Sequence, residues 1–249
     1  MCGCSGVRAR TMRRPFDLIA FDGDDTLWHN ERSFRHGRDR FRAILADAGF
    51  ALPEDTIESV VNEIEVQNLP FFGYGVSSFT LSLIEAAVGL TNGQIAARHI
   101  DAIVAVAKTM ITSEVELFPA VKPALASLSR RYPLVLITKG DLLHQRSKLT
   151  RSGLERYFRY VEVVSDKTPE VYAAILERLG IRAGRFLMVG NSLKSDILPV
   201  LALGGRGAHI PYHLTWAAEH VDEVPDAPGR FFTLQSVRAL PALVEAWGL

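Results

Sequence analysis

Five short apolar runs, each ending at a polar or glycine-containing turn, constrain the fold of this chain more than any other feature. They cover residues 16–21, 133–138, 160–164, 185–189 and 207–210. Their apolar residues are nearly continuous and do not alternate with polar ones, which is the pattern of strands buried on both faces. Strands of this kind belong to a parallel sheet that is covered by helices.

Helical segments lie between these runs, at residues 122–131, 142–153 and 169–179. The second of them stops at Gly153, a residue suited to a C-terminal helix cap. Strand and helix therefore alternate from about residue 118 to the end. This alternation predicts an α/β domain with a doubly wound parallel sheet.

One long stretch after the first run lacks a strand pattern and is expected to be helical. Ile57, Val60, Val61 and Ile64 follow the i, i+3, i+4, i+7 spacing of an amphipathic helix. A crossover between parallel strands needs only about a dozen residues. We therefore predict a small helical domain inserted after the first strand. The predicted division is a flexible tail (1–14), an α/β core (15–27 and 115–249) and the helical insertion (28–114).

Composition and charge exclude several classes of protein. Lysine plus arginine and aspartate plus glutamate each number 28, whereas a nucleic-acid binder usually carries a basic excess. The longest apolar helical stretch, 100–111, contains Asp101 and Lys108, which argues against a membrane span. Cys2 and Cys4 are too few for a disulfide framework. We expect a reduced, cytoplasmic protein that binds neither nucleic acid nor membrane; its oligomeric state stays open.

Charged and polar side chains follow the predicted strands at the points where they end. In open α/β sheets, ligands bind outside the carboxyl ends of the strands, so these side chains are expected to share one site. Clustered carboxylates need a neutralising cation, and hard oxygen ligands suit Mg²⁺. A magnesium ion beside a lysine and a hydroxyl is a natural seat for a phosphate. The residues at the strand ends are Asp22, Asp24, Asp25, Thr138, Lys139, Lys167, Asn191, Ser192 and Asp196.

Four of these segments resemble the motifs of the haloacid dehalogenase-like hydrolases. Residues 22–27 (DGDDTL) resemble the first motif, D-x-D-x-T-L, and Thr138 at the end of LVLIT resembles the second. Lys167 in DKTP resembles the third, and residues 190–196 (GNSLKSD) resemble the fourth, G-D-x-x-x-x-D. The helical insertion also lies where this family has a cap domain.

The resemblance implies a role for each matching residue. Asp22 would be the nucleophile that forms an aspartyl-phosphate. Asp24 would protonate the leaving oxygen and then deprotonate water, and its backbone carbonyl would bind Mg²⁺. Thr138 would hold the phosphoryl oxygens, Lys167 would offset negative charge, and Asp196 would bind Mg²⁺. Asp22, Asp24, Thr138 and Lys167 are thus the predicted catalytic residues.

Three positions need separate interpretation. Asn191 stands where the family usually has aspartate; its neutral oxygen is expected to contact Mg²⁺, a ligand water or Lys167, so we count it with the metal and substrate ligands. Lys139 is predicted to bind substrate, with a plain surface role as the alternative. Asp25 replaces the family's glycine, and a structural role is expected for it.

Three functions compete at this stage. The leading prediction is a Mg²⁺-dependent phosphatase that acts on a small phosphorylated metabolite. The second is a metal-free 2-haloacid dehalogenase in which Asp22 attacks carbon; Asn191 favours it, and Asp24 argues against it because halide departure needs no acid. The third is a catalytically silent binding module on the same fold. The segment 71–75 (FFGYG) is expected to form an aromatic lid over the site or to pack within the insertion.

Overall fold

The structure, a computed structural model, describes residues 14–214, 216, 219–221 and 224–247. The predicted tail, with Cys2 and Cys4, lies outside the described residues except for Arg14. The strands are β1 (Leu18–Phe21), β2 (Leu134–Lys139), β3 (Tyr160–Val164), β4 (Phe186–Gly190), β5 (Arg206–His209) and β6 (Phe231–Thr233).

Helices precede and follow these strands. They are α1 (Glu31–Asp47), α2 (Glu54–Phe72), α3 (Val76–Leu90), α4 (Ala97–Thr112), α5 (Val121–Ser129), α6 (Leu142–Ser152), α7 (Pro169–Leu179), α8 (Leu198–Ala202) and α9 (Leu240–Ala246). None of the helices in the described part of the chain combines the length and the apolar character needed to cross a bilayer.

Six strands of the described chain form one parallel sheet in the order β3-β2-β1-β4-β5-β6. The prediction of a doubly wound parallel sheet is confirmed. Its five predicted strands are present: β3 has the predicted bounds, and the ends of the others shift by at most two residues. The sixth, β6, was missed because it has only three residues and is partly exposed, so it lacks the long apolar signal of the others.

Apolar layers cover both faces of the sheet. Side chains of β1 alternate between them: Ile19 and Phe21 pack with α5 and α9, whereas Leu18 and Ala20 pack with α7. All four are buried, which explains why the run has no polar residues. After β1 the chain continues to β2 on one side, and after β4 it continues to β5 on the other. The carboxyl ends of β1 and β4 therefore lie at the switch point, where ligands bind in open α/β sheets.

Residues 31–112 form the four helices α1 to α4, in agreement with the helical pattern of this stretch. These helices enclose an apolar cluster of their own, which includes Phe41, Val61, Leu83 and Ile103. They meet the sheet side of the molecule at α6. There the Ser77 backbone N–H donates to Asp141 Oδ2 at 3.1 Å, and the Arg151 guanidinium donates to backbone carbonyls at the end of α4.

Candidate active site

The ends of four neighbouring strands, β1 to β4, bring the predicted residues to one cleft. Phe21, the last residue of β1, lies opposite Leu136 of β2 and Val189 of β4. The next residue, Asp22, donates its backbone N–H to the Val189 carbonyl at 2.9 Å. The cleft is lined by every residue of the predicted catalytic, metal and substrate sets: Asp22, Asp24, Thr138, Lys139, Lys167, Asn191 and Asp196.

Lys167 joins two of the carboxylates. Its Nζ donates to Asp22 Oδ1 at 2.6 Å and to Asp196 Oδ1 at 2.7 Å, and all three side chains are buried. Burial disfavours the charged form of Lys167, but Asp196 and Asp22 outweigh this and raise its pKa well above the ordinary value. The lysine is therefore a permanent cation between the two acids.

The contact with Lys167 compensates the negative charge of the Asp22 carboxylate only in part. Its Oδ2 is buried and has no hydrogen-bond partner among the described residues. Burial raises the pKa of Asp22 to about 7; the Lys167 ammonium opposes this rise, and Asp196 and Asp24 add to it. A buried carboxylate oxygen without a partner is costly, so this atom is where a cation would relieve the site.

The donor set fits a hard divalent ion, although its side chains supply few charges. Within the described residues, no group of three or more His, Cys, Asp and Glu side chains is arranged to hold a metal. The predicted ligands contain two such carboxylates, Asp22 and Asp196, with an amide oxygen on Asn191 and a backbone carbonyl at Asp24. All are oxygen donors of the kind that Mg²⁺ prefers, and Mg²⁺ usually keeps several waters.

Asp24 is held by three donors. Its Oδ1 accepts from Lys148 Nζ at 2.5 Å and from Trp28 Nε1 at 2.6 Å, and its Oδ2 accepts from Gln145 Nε2 at 2.8 Å. Burial disfavours the charge on Asp24, but the ion pair with Lys148 and these hydrogen bonds outweigh it and lower the pKa. Trp28 reaches this position because Gly23 has no side chain: a Cβ there would lie 2.7 Å from the indole ring.

Asp196 lies in a π-helical turn (Leu193–Ile197) that follows β4. Its Oδ2 accepts from the Ser192 backbone N–H at 3.0 Å. Gly190 makes this possible, because a Cβ at that residue would lie 2.1 Å from Asp196 Oδ2. Ser192 caps the turn through its Oγ, which accepts from the Ser195 backbone N–H at 3.0 Å.

Asn191 and Asp25 depart from the family pattern, and each has a defined contact. Asn191 Oδ1 accepts from Thr26 Oγ1 at 3.2 Å. Asp25 has a positive φ of 59°, the conformation that a glycine adopts readily. Its Oδ1 accepts from the Asn30 backbone N–H at 2.9 Å and from that of Glu31 at 3.2 Å. Asp25 therefore anchors the start of α1, which confirms a structural role.

Lys139 contacts a carboxylate that the sequence interpretation missed. Its Nζ lies 2.5 Å from Glu219 Oε1 and 2.9 Å from Ser195 Oγ. The same ammonium lies 3.9 Å from the centre of the Tyr74 ring. Glu219 belongs to the segment between β5 and β6, far from any motif, so nothing in the local sequence pointed to it.

The helical insertion supplies the opposite wall of the cleft. Phe34, Arg38, Glu65, Tyr74 and Phe79 line it from this side, and the cavity has a volume of about 190 Å³. In the segment 71–75, Tyr74 faces the cleft, whereas Phe71 is 79% exposed and Phe72 is 53% exposed. Of the three aromatic side chains in this segment, Tyr74 alone lines the cleft, where it lies between Gly73 and Gly75.

Two further cleft residues, Gln145 and Lys148, were absent from the sequence prediction. They lie on α6, four and seven residues after Asp141, which places all three on one face of the helix. This spacing was the available signal. It was weak, because a polar face on a helix is normally solvated.

Comparisons with known proteins identify a matching family and phosphatase relatives. A sequence profile of haloacid dehalogenase-like hydrolases matches residues 16–204. N-acylneuraminate-9-phosphatase from Homo sapiens is 25% identical over an alignment that covers 98% of this chain and 96% of that protein. Glyceraldehyde 3-phosphate phosphatase from Methanothermobacter thermautotrophicus is 25% identical over 215 residues, covering 82% and 90% of the two chains.

Solved structures share the fold. A haloacid dehalogenase-like family hydrolase from Xanthomonas campestris superposes with a TM-score of 0.82 at 38% identity, covering 95% of this chain and 97% of the other. A 2-haloacid dehalogenase from Pseudomonas syringae pv. Tomato superposes with a TM-score of 0.64 at 21% identity, covering 93% and 99%; this likeness concerns the fold. The profile match over most of the sequence and the Xanthomonas relative establish that the chain belongs to the haloacid dehalogenase-like hydrolases.

Proposed function

We propose that this hydrolase is a Mg²⁺-dependent phosphatase that cleaves a small phosphorylated metabolite through an aspartyl-phosphate on Asp22. The observation that carries the proposal is the buried group of Asp22, Lys167 and Asp196, which follow the parallel strands β1, β3 and β4. In it, Asp22 has one carboxylate oxygen without a hydrogen-bond partner in the described part of the chain, and it lines a cleft of metabolite size. The two phosphatases among the relatives support the same reaction class.

Each step has a residue of this chain in reach of the cleft. The Asp22 carboxylate attacks phosphorus, the ester oxygen leaves, and the Asp24 carboxyl gives that oxygen a proton. Asp24 then takes a proton from the water that hydrolyses the aspartyl-phosphate, which returns Asp22 to a carboxylate. The ion pair with Lys148 favours the base form of Asp24, and a nearby phosphate dianion favours its acid form.

The remaining predicted residues bind and neutralise. Thr138, buried at the end of β2, and Lys167 hold the phosphoryl oxygens. Asp22, Asp196, Asn191 and the Asp24 carbonyl would hold Mg²⁺. When bound, the ion supplies positive charge that reduces the repulsion between the anionic nucleophile and the anionic ester.

The helical insertion, residues 28–114, is proposed to act as a cap that closes the cleft and selects the leaving group. Its contribution to the cleft wall is both apolar and charged: Phe34 and Phe79 lie there with Arg38 and Glu65. Arg38 forms a salt bridge with Glu58 at 2.8 Å and another with Glu65. A wall of this composition suits a small polar metabolite better than a purely hydrocarbon one.

The direct test is turnover of 4-nitrophenyl phosphate by the wild type and by Asp22→Asn, with Mg²⁺ and with EDTA. We expect the wild type to require Mg²⁺ and the variant to lose at least about 10³-fold in kcat/KM. Asp17→Asn is the matched control, because Asp17 lies just before the same strand but pairs on the surface with Arg185. Equal activity of Asp22→Asn and wild type would refute the assignment.

Asn191 favours a second candidate function, a metal-free dehalogenase, because an amide in place of a carboxylate lowers the negative charge available to a metal ion. A metal-free 2-haloacid dehalogenase would release chloride from 2-chloropropionate in EDTA, and the proposed phosphatase would not. A silent binding module would bind a phosphate ester in calorimetry without hydrolysing it. The three readouts separate the three functions.

A further inference from the structure

Two side chains of helix α6 donate hydrogen bonds to Asp24, the proposed acid-base residue. Lys148 Nζ lies 2.5 Å from Asp24 Oδ1, and Gln145 Nε2 lies 2.8 Å from Asp24 Oδ2. With Trp28 Nε1 on Oδ1, each oxygen of Asp24 has a donor aimed at it. The carboxylate is thereby fixed in rotation as well as in position.

Gln145 is itself held firmly by the end of β2. The same Nε2 donates to the Lys139 carbonyl at 2.5 Å, and the side chain is buried. Gly140 leaves space for it: this glycine has a φ of 122°, and a Cβ there would lie 3.0 Å from Gln145 Nε2. The amide that orients Asp24 is therefore hydrogen-bonded to Lys139, the last residue of β2.

Lys148 extends the contact to the helical insertion. Its Nζ also donates to Asn30 Oδ1 at 3.1 Å, and Asn30 directly precedes α1. Seven residues earlier, Asp141, which directly precedes the same helix, accepts a hydrogen bond from the Ser77 backbone N–H at the start of α3. One face of α6, with the residue that precedes it, thus contacts both Asp24 and two segments of the insertion, at the starts of α1 and α3.

We infer that Gln145 and Lys148 are positioning residues for Asp24, and that they align its carboxyl with the leaving-group oxygen of the substrate. The inference rests on the proposed phosphatase function. Neither residue needs to touch the phosphoryl group, which is the task of the separate cluster around Asp22 and Lys167. Because Lys148 also donates to Asn30, the alignment of Asp24 depends on how the insertion docks.

A positioning role has a consequence that a merely structural role lacks. Proton donation matters in proportion to the basicity of the departing oxygen. An alkyl phosphate releases a strongly basic alkoxide and depends on the acid, whereas 2,4-dinitrophenyl phosphate releases a stable phenolate and does not. A misaligned Asp24 should therefore slow the first ester much more than the second.

The experiment compares kcat/KM for phenethyl phosphate and 2,4-dinitrophenyl phosphate, because this parameter reports steps up to departure of the alcohol. We expect Lys148→Met and Gln145→Leu to lose roughly 10- to 100-fold with the alkyl ester, towards the loss of about 10²–10⁴ for Asp24→Asn. With the dinitrophenyl ester they should stay close to wild type. Lys148→Arg, which keeps the charge and the donors, should recover much of the loss.

Arg146→Met is the matched control, because Arg146 lies on the exposed face of the same helix. The ratio of the two rates is independent of the fraction of folded protein, so a poorly folding variant still gives an answer. Equal losses with both esters would overturn the inference. So would a full additional loss when Lys148→Met is placed in the Asp24→Asn background, since coupled residues are not additive. A wild type that hydrolyses neither ester would overturn the proposed function, and this inference with it.

Discussion

Replacing Lys167 with methionine should destabilise the protein strongly. The substitution keeps the length of the side chain but removes the cation between Asp22 and Asp196. Lys167 makes charged hydrogen bonds of 2.6 and 2.7 Å to these two residues, and its side chain is 2% exposed. The two carboxylates would then face each other in a buried site with no ammonium between them.

The size of the effect follows from these contacts. Removing one partner of a buried ion pair costs about 3–5 kcal/mol, and two hydrogen bonds to charged groups give a similar sum of about 3–6 kcal/mol. Proton uptake limits the cost, because Asp22 already has a pKa of about 7 through burial. We expect a loss of about 3–5 kcal/mol at pH 8 and a smaller loss at pH 5, where a carboxyl is protonated.

Urea denaturation of Lys167→Met and wild type in EDTA measures this loss. For a chain of this length the melting temperature should fall by about 10 °C. Lys122→Met is the control, since it makes the same chemical change at an exposed position. Added Mg²⁺ should restore part of the stability. If Lys167→Met in EDTA were as stable as Lys122→Met, Lys167 would not be what compensates the buried acids.

Three further perturbations probe the same site. Asn191→Asp adds a carboxylate to the proposed ligand set, and calorimetry should show Mg²⁺ binding at least about tenfold tighter; unchanged affinity would remove Asn191 from the metal ligands. Gly190→Ala places a Cβ 2.1 Å from Asp196 Oδ2, so urea denaturation should show a loss of about 2–4 kcal/mol, and a loss below about 0.5 kcal/mol, the usual range for a surface change, would contradict this packing. Burial lowers the pKa of His144 to about 4, with a further contribution from Lys148; because the folded value lies below the unfolded one, stability is present above pH 6.5 and is lost as pH falls towards 4. His144→Leu should therefore flatten the unfolding free energy between pH 7 and pH 4 by up to about 3 kcal/mol, and an unchanged pH dependence would show that the histidine titrates normally.

The sheet and the residues at its strand ends were predictable because they obey short-range rules. A strand buried on both faces must be apolar throughout, so residues 18–21 and 134–137 stand out in the sequence. Once such strands are parallel, their ends meet at one edge, and the polar residues that follow them must meet as well. Asp22, Lys167 and Asp196 were brought together by that geometry alone, although up to 174 residues separate them along the chain.

The partners of these residues were not predictable for a different physical reason. Gln145 and Lys148 act through the exposed-looking face of a helix, whose contacts depend on how the helical insertion docks. Glu219 reaches Lys139 from a segment without regular apolar spacing. Such contacts are long-range and made by polar side chains, and a single sequence does not distinguish them from a solvated surface.

The charges of the cleft bear on the choice between a metal-dependent and a metal-free reaction. Among the described residues that line it, each basic side chain already contacts a carboxylate. Lys167 contacts Asp22 and Asp196, Lys148 contacts Asp24, Lys139 contacts Glu219, and Arg38 contacts Glu65. Two further acids, Glu31 and Asp141, line the same cleft. A phosphate dianion entering this cleft meets a surplus of negative charge, and the attraction that holds it must come from backbone N–H groups and from an added cation. The unpartnered oxygen of Asp22 lies where such a cation would also relieve the protein itself. One cation would thus both attract the phosphate and stabilise the Asp22 carboxylate. This favours the metal-dependent phosphatase over a reaction in which the same carboxylates act alone.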